Sequence, residues 1–183
     1  MNRAALCFAL LVPACASLPE PAMEDRTEDA RQLVDRFQTD LITALNAALA
    51  DGGPVAAVEV CAEIAPAIAA SLSDESGAMV RRTALRNRNP DAVPDATERR
   101  VMATFMPPLD ADGKPREWSG ATASSFRYMR AIPTKPMCTT CHGTAVAPDI
   151  AAAIRKRYPN DTATGFAPGD LRGAFSVRWE RAR

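Results

Sequence analysis

Cys138-Thr139-Thr140-Cys141-His142 is the stretch of this chain best equipped for chemistry. Two thiols with two residues between them, followed at once by a histidine, form the attachment pattern of a covalent c-type haem. One tight turn sets both sulfurs where they can add to the vinyl groups on one edge of a porphyrin. The imidazole that follows then points at the iron as its proximal ligand. Two other chemistries draw on the same residue types. Cys61 with Cys138, Cys141 and His142 would make a Cys3His zinc set, but Cys141 and His142 are sequence neighbours and hard to place on adjacent tetrahedral vertices. A thiol–disulfide exchanger normally opens a helix with its dithiol, which lowers the first thiol's pKa. Here a predicted strand and Pro136 precede the pair, and Pro148 separates it from the next helix. The sequence favours one covalent haem c.

His142 is the sole histidine, so a bis-histidine cytochrome within one chain is excluded, as is any triad needing a separate catalytic histidine. No catalytic constellation beyond the haem motif is visible, and the chain is not expected to be an enzyme. The ligand opposite His142 is left open by the residues themselves. Met79, Met102, Met106, Met129 and Met137 are available, although methionines are more often core filler. Cys61 is either a small buried hydrophobe, the usual fate of a free cysteine, or a thiolate ligand. The run Arg81, Arg82, Arg86, Arg88 is either a solvated face or a source of partners for the haem carboxylates, which suit the arginine fork. Arg86 and Arg88 are favoured for that role.

The elements that must position these residues are set by a chain of 183 residues with 47% apolar and 24% charged content, as expected of an ordinary globular protein. Formal net charge is zero, which gives no reason to expect a nucleic acid or an anionic membrane as partner. Arg3, the apolar run Ala4 to Val12 and Ala14-Cys15-Ala16 read as a leader cleaved after Ala16. Residues 17–183 then form one exported, periplasmic domain with a helical extension at its start. Cys15 as a lipid-anchored cysteine is the alternative, which Pro13 disfavours. Loss of Arg3 leaves 21 basic against 22 acidic residues. Cys7 and Cys15 leave with the leader, and the odd number of thiols that remains is explained if two are spent on haem. No later stretch reaches ~18 apolar residues, so no transmembrane segment is expected.

Leu33, Phe37, Leu41 and Leu45 recur at every fourth position within a predicted helix over 24–50. Asp51-Gly52-Gly53 stops it, and Pro54 opens a second helix to about Leu72, with Val58, Cys61, Ala65, Ile68 and Leu72 on its buried face. Pro66 cannot donate to the Ala62 carbonyl and should bend this helix one turn beyond Cys61. Met79 to Arg86 reads as a strand. Asp95-Ala96-Thr97-Glu98 has capping-box spacing for a helix carrying Val101, Met102 and Phe105. Asp110-Ala111-Asp112-Gly113 marks a turn. Glu117 to Pro133 reads as strand broken at Ser119-Gly120, and a short helix runs from Asp149 to Tyr158. Gly173 to Glu180 alternates as a strand with one wet face. Helices first and strands after make an α+β fold.

Several stretches resemble a family of bacterial and cyanobacterial c-type haem proteins with a PAS-like sensor fold. They are Val60-Cys61-Ala62-Glu63-Ile64-Ala65-Pro66, Arg81 to Pro90, Tyr128 to Pro133, Cys138 to Gly143, Tyr158-Pro159, Ala163-Thr164-Gly165-Phe166 and Asp170 to Val177. The resemblance implies N-terminal helices packed on a PAS-like antiparallel sheet that encloses one haem. It implies covalent attachment through Cys138 and Cys141, with His142 and Cys61 as axial ligands. A thiolate opposite histidine stabilises ferric iron and predicts a low reduction potential. Redox or diatomic-gas sensing is the expected role. A periplasmic electron carrier working with a redox partner protein is the alternative.

Overall fold

The computed structural model describes residues 23–122 and 124–180, with side chains from residue 26. The expected leader and Cys15 lie outside the described residues. The first helix, α1 (Met23–Glu59), turns a corner at Gly53, whose φ of 70° and ψ of −168° are not helical. Only glycine enters that region readily, and Pro54 restarts the helix with its fixed φ. The Asp51-Gly52-Gly53 stop and the Pro54 restart are therefore both realised.

Beyond α1 comes the first departure of interest. Val60–Ile64 is a π-helical turn, in which the Ala65 N–H donates to the Val60 carbonyl, and α2 (Ala65–Ser76) continues from it. Pro66 offers no donor to the preceding turn. The helix answers by widening one turn upstream, and Cys61 sits in the widened turn. Val60 and Ala65, five positions apart, both enter the main core, while Val58 faces a different cluster. The bend expected beyond Cys61 is thus an inserted residue around Cys61 itself.

Four antiparallel strands follow: β1 (Met79–Thr83), β2 (Glu117–Ala121), β3 (Ser125–Pro133) and β4 (Leu171–Glu180). Their order in the sheet is β1-β4-β3-β2. One face packs on α1 and α2, where Leu33, Val34, Phe37, Leu41 and Leu72 meet Val80, Tyr128, Phe175 and Val177. Phe37 and Phe175 meet with their rings tilted at 59° and their centres 5.4 Å apart. By length and composition the Arg26–Ser76 helical run is apolar enough to cross a membrane, and 28% of its most apolar window is buried. The opposite face is covered by α3 (Ala96–Thr104), which begins with the expected Asp95/Glu98 capping box and brings Val101, Met102 and Phe105 onto Met129, Ala131 and Ala174. The architecture is α+β, with a long N-terminal helix against a four-stranded antiparallel sheet.

Two strand expectations are corrected. The predicted break at Ser119-Gly120 falls inside β2, which pairs with β3 without interruption; Gly120 leaves room for the Trp118 ring, and the reversal is made later, where the Thr122 N–H donates to the Ser125 carbonyl at 2.8 Å. No wet face is found at the centre of β4, since Ser176 is 2% exposed. The helix α3 covers the side that alternation had given to solvent. At the far edge, Glu117 receives Arg31 at 2.9 Å and Arg130 at 3.1 Å, which pins α1 to β2 and β3.

Candidate functional site

The motif follows β3 through a 3₁₀ turn (Pro136–Cys138) and forms a single helical turn, α4 (Thr139–His142). Here the dithiol does stand at a helix start, contrary to expectation, although the helix lasts only one turn. Gly143 closes it, donating to the Thr139 carbonyl at 2.8 Å. A β-carbon on Gly143 would lie 2.4 Å from that oxygen. The three described cysteines are free and half-buried. Burial pushes the Cys141 thiol up, and the Arg88 charge offsets this only in part. A dithiol tuned for disulfide exchange needs the opposite shift.

A loop from β4's side clamps the motif. Phe166 N–H donates to the His142 carbonyl at 2.9 Å, and Gly165 N–H to the Gly143 carbonyl at 2.8 Å. His142 Nδ1 lies 2.6 Å from the Ala163 carbonyl. A carbonyl only accepts, so the proton is assigned to Nδ1 and the lone pair to Nε2. Burial first, then the charges of Arg172 and Arg88, push the imidazole down to about 2. The ring is neutral, oriented, and ready to bind a metal through Nε2.

Arg88 holds the clamp to the motif. It forms a two-bond pair with Asp161, Nε to Oδ1 and Nη2 to Oδ2, both at 3.1 Å. It also donates to the carbonyls of Cys141 at 2.7 Å and Ala163 at 3.4 Å. Arg86, also favoured from sequence for the haem carboxylates, is exposed; it lies over the Phe166 ring at 4.3 Å and donates to the Thr162 carbonyl. Arg81 is engaged by the carbonyls of Asp91 and Val93 and by Glu98. Arg82 and Arg172 also converge on this region. Burial holds the Arg82 guanidinium below its usual range and brings Arg172 down to about 10.

Cys61 comes to the same place by another route. Its neighbour Ala62 and the motif's Cys141 both pack against Val58, Ile150, Ile154 and Tyr158. The last three come from α5 (Pro148–Arg157) and its end, and Arg157 ties that helix to Glu63 at 2.8 Å. Cys61 is half-buried and lies outside the core clusters. Among the methionines, Met102 and Met129 are fully buried in the core on the other face of the sheet. Met79, Met106 and Met137 are exposed.

Among the described residues no group of three or more His, Cys, Asp or Glu side chains is close enough to hold a metal ion directly, so the Cys3His zinc set is not assembled. The donor set instead suits a haem. Two free thiols lie one turn apart, a neutral imidazole presents Nε2, and a further thiol is carried on a widened turn. Sequence reasoning passed over Asp161, the Ala163 carbonyl, Phe166 and Arg172. A backbone acceptor leaves no mark in side-chain pattern, and Asp161 looked like one more polar loop residue.

The chain is similar to the crystal structure of the cyanobacterial heme-protein Tll0287, with a TM-score of 0.69 and 25% sequence identity over 87% of this chain and 97% of that one. No curated protein matches it. The family model described as Tll0287-like matches residues 19–179. With that match spanning nearly the whole sequence, this chain belongs to the Tll0287-like family.

Proposed function

We propose that this chain binds one haem, attached covalently through Cys138 and Cys141, with His142 and Cys61 as axial ligands. Its role in this reading is redox or diatomic-gas sensing after export to the periplasm. The observation that carries the haem reading is the His142–Ala163 bond, which fixes the tautomer and aims Nε2 away from the clamp. The similarity to a solved heme protein points the same way. Haem supplies a redox couple and, where an axial position is free, a site for a small gas.

The chain's contribution is to treat its two axial residues differently. His142 is held by its ring, its carbonyl and the Arg88–Asp161 brace, and has little freedom to leave. Cys61 rides on a π turn, a feature often found at functional sites and one that resolves by a shift of one residue. One candidate ligand is braced at its ring and carbonyl, and the other sits on an irregular helical turn. That asymmetry favours a sensor over a plain electron carrier, which needs both ligands constant in both redox states.

The test is optical and chemical. Protein from cells equipped for cytochrome maturation should keep its colour in the polypeptide after acid–acetone extraction and show the mass of one added haem. Cys61→Ser should change the ferric spectrum while leaving that mass in place. Colour lost to the solvent would end the covalent reading, and a ferric spectrum indifferent to Cys61→Ser would end the axial one.

A further inference from the structure

Three arginines press on His142 electrostatically: Arg172, Arg88 and Arg82. Arg88 has its carboxylate in Asp161. Among the described residues neither Arg82 nor Arg172 forms an ion pair, and the Asp161 charge that reaches Arg172 is already paired with Arg88. Arg82 lies opposite Phe175 in the β1–β4 ladder and so emerges on the α1 face, where its guanidinium stands 5.7 Å from the Phe37 ring centre. Arg172 lies 5.4 Å from the Phe166 ring centre and gives one hydrogen bond, to the Arg86 carbonyl at 3.2 Å. Phe166 in turn meets His142 edge to face, ring centres 6.4 Å apart. Arg172 and the motif histidine therefore touch the same aromatic ring.

Both cations are half-buried, and loss of water around them holds each below its usual range. Burying one unpaired cation is costly, and placing a second beside it adds repulsion. The arrangement calls for two negative charges, planar enough to engage an arginine fork. A haem gripped by its vinyl edge at Cys138 and Cys141 carries two carboxylate side chains on the edge opposite. We infer that Arg82 and Arg172 bind those two carboxylates, while Arg88 braces the protein; the inference rests on the haem reading above. The arginine run flagged in the sequence does contain one carboxylate partner, at Arg82, and the other comes from the start of β4.

The experiment uses the matured, full-length holoprotein and the variants R82Q, R172Q, R82K, R172K and R86Q. The readouts are the reduction potential across a pH series and the resonance Raman bending modes of the haem carboxylates. Loss of a facing positive charge favours ferric iron, so R82Q and R172Q should each lower the potential and make it more pH-dependent, with a shifted bending mode. R82K and R172K should keep the potential near the parent value yet still shift the mode, because an ammonium lacks the fork. The assignment is overturned if R82Q and R172Q leave mode and potential unchanged, or if the shift appears in R86Q instead. Should the glutamine variants fail to accumulate, the Raman shift in the two lysine variants decides. A parent protein with the mass of bare polypeptide would sink the haem reading itself, an outcome distinct from an insensitive haem.

Discussion

Arg88 and Asp161 meet through two parallel 3.1 Å bonds although 73 positions separate them, and their side chains are only 6% and 8% exposed. The pair sits where the loop after β1 crosses the loop before β4, with the motif's Cys141 carbonyl as a third member. Removing one partner of such a buried pair leaves the other charge stranded, at a cost of about 3–5 kcal/mol. Arg88→Ala and Asp161→Ala should each lower stability by that order in denaturant titrations, and the double variant by less than their sum. Additive losses would mean that the two residues act independently.

Gly143 has an ordinary φ of −74°, so a substitution there is not strained in its backbone. The obstacle is the Thr139 carbonyl, 2.4 Å from the site of an added β-carbon. Gly143→Ala must open the α4 turn, with a cost of about 1–3 kcal/mol, and should reduce the yield of covalently modified protein by moving Cys138 relative to Cys141. The yield per polypeptide, by mass spectrometry, checks this.

Pro66→Ala restores the missing backbone donor. The Val60–Ile64 turn can then close to regular α-helix, and withdrawing one residue turns Cys61 by roughly 100° about the axis. Stability should hold or rise, since proline is unfavourable inside helices by about 3 kcal/mol relative to alanine. The ferric spectrum should change as it does in Cys61→Ser. An unaltered spectrum would show that the widened turn is held by something other than Pro66.

At the sheet's far edge, burial pushes the Glu117 carboxyl up, but bonds from Tyr128 and Arg31 and the charge of Arg130 outweigh it, and the net direction is down from 4.5. A carboxyl lowered in the folded state stabilises the protein above its unfolded value. That contribution fades as pH falls from about the ordinary carboxylate range through the lowered folded value. Glu117→Gln should therefore be less stable than the parent at neutral pH, and the two should converge on acidification. A gap that stays constant with pH would contradict the assignment.

Local signals were readable in this sequence, and signals that depend on a distant surface were not. The Asp95/Glu98 box, the Leu33–Leu41 stripe, the Gly53–Pro54 corner and Cys138–His142 all lie within a turn or two of the residues that define them. The Ser176 face of β4 reads as polar because nothing in β4 announces that α3 will cover it. The engagement of Arg88 by Asp161 was hidden for the same reason. Whether an arginine is already satisfied depends on Asp161, which folding alone brings near. The π turn lies between these cases, since Pro66 was visible but its effect appears upstream, at Cys61.

The order β1-β4-β3-β2 carries a consequence for assembly. β1 and β3 never touch as strands; β4 is their common neighbour, and it is formed from residues that follow the Cys-x-x-Cys-His segment. Until those residues arrive, the hairpin of β2 and β3 has an open flank, the motif lacks its Phe166 clamp, and Arg88 has no Asp161. The segment that carries the two thiols is thus made before the strand that joins β1 to β3 and completes the sheet.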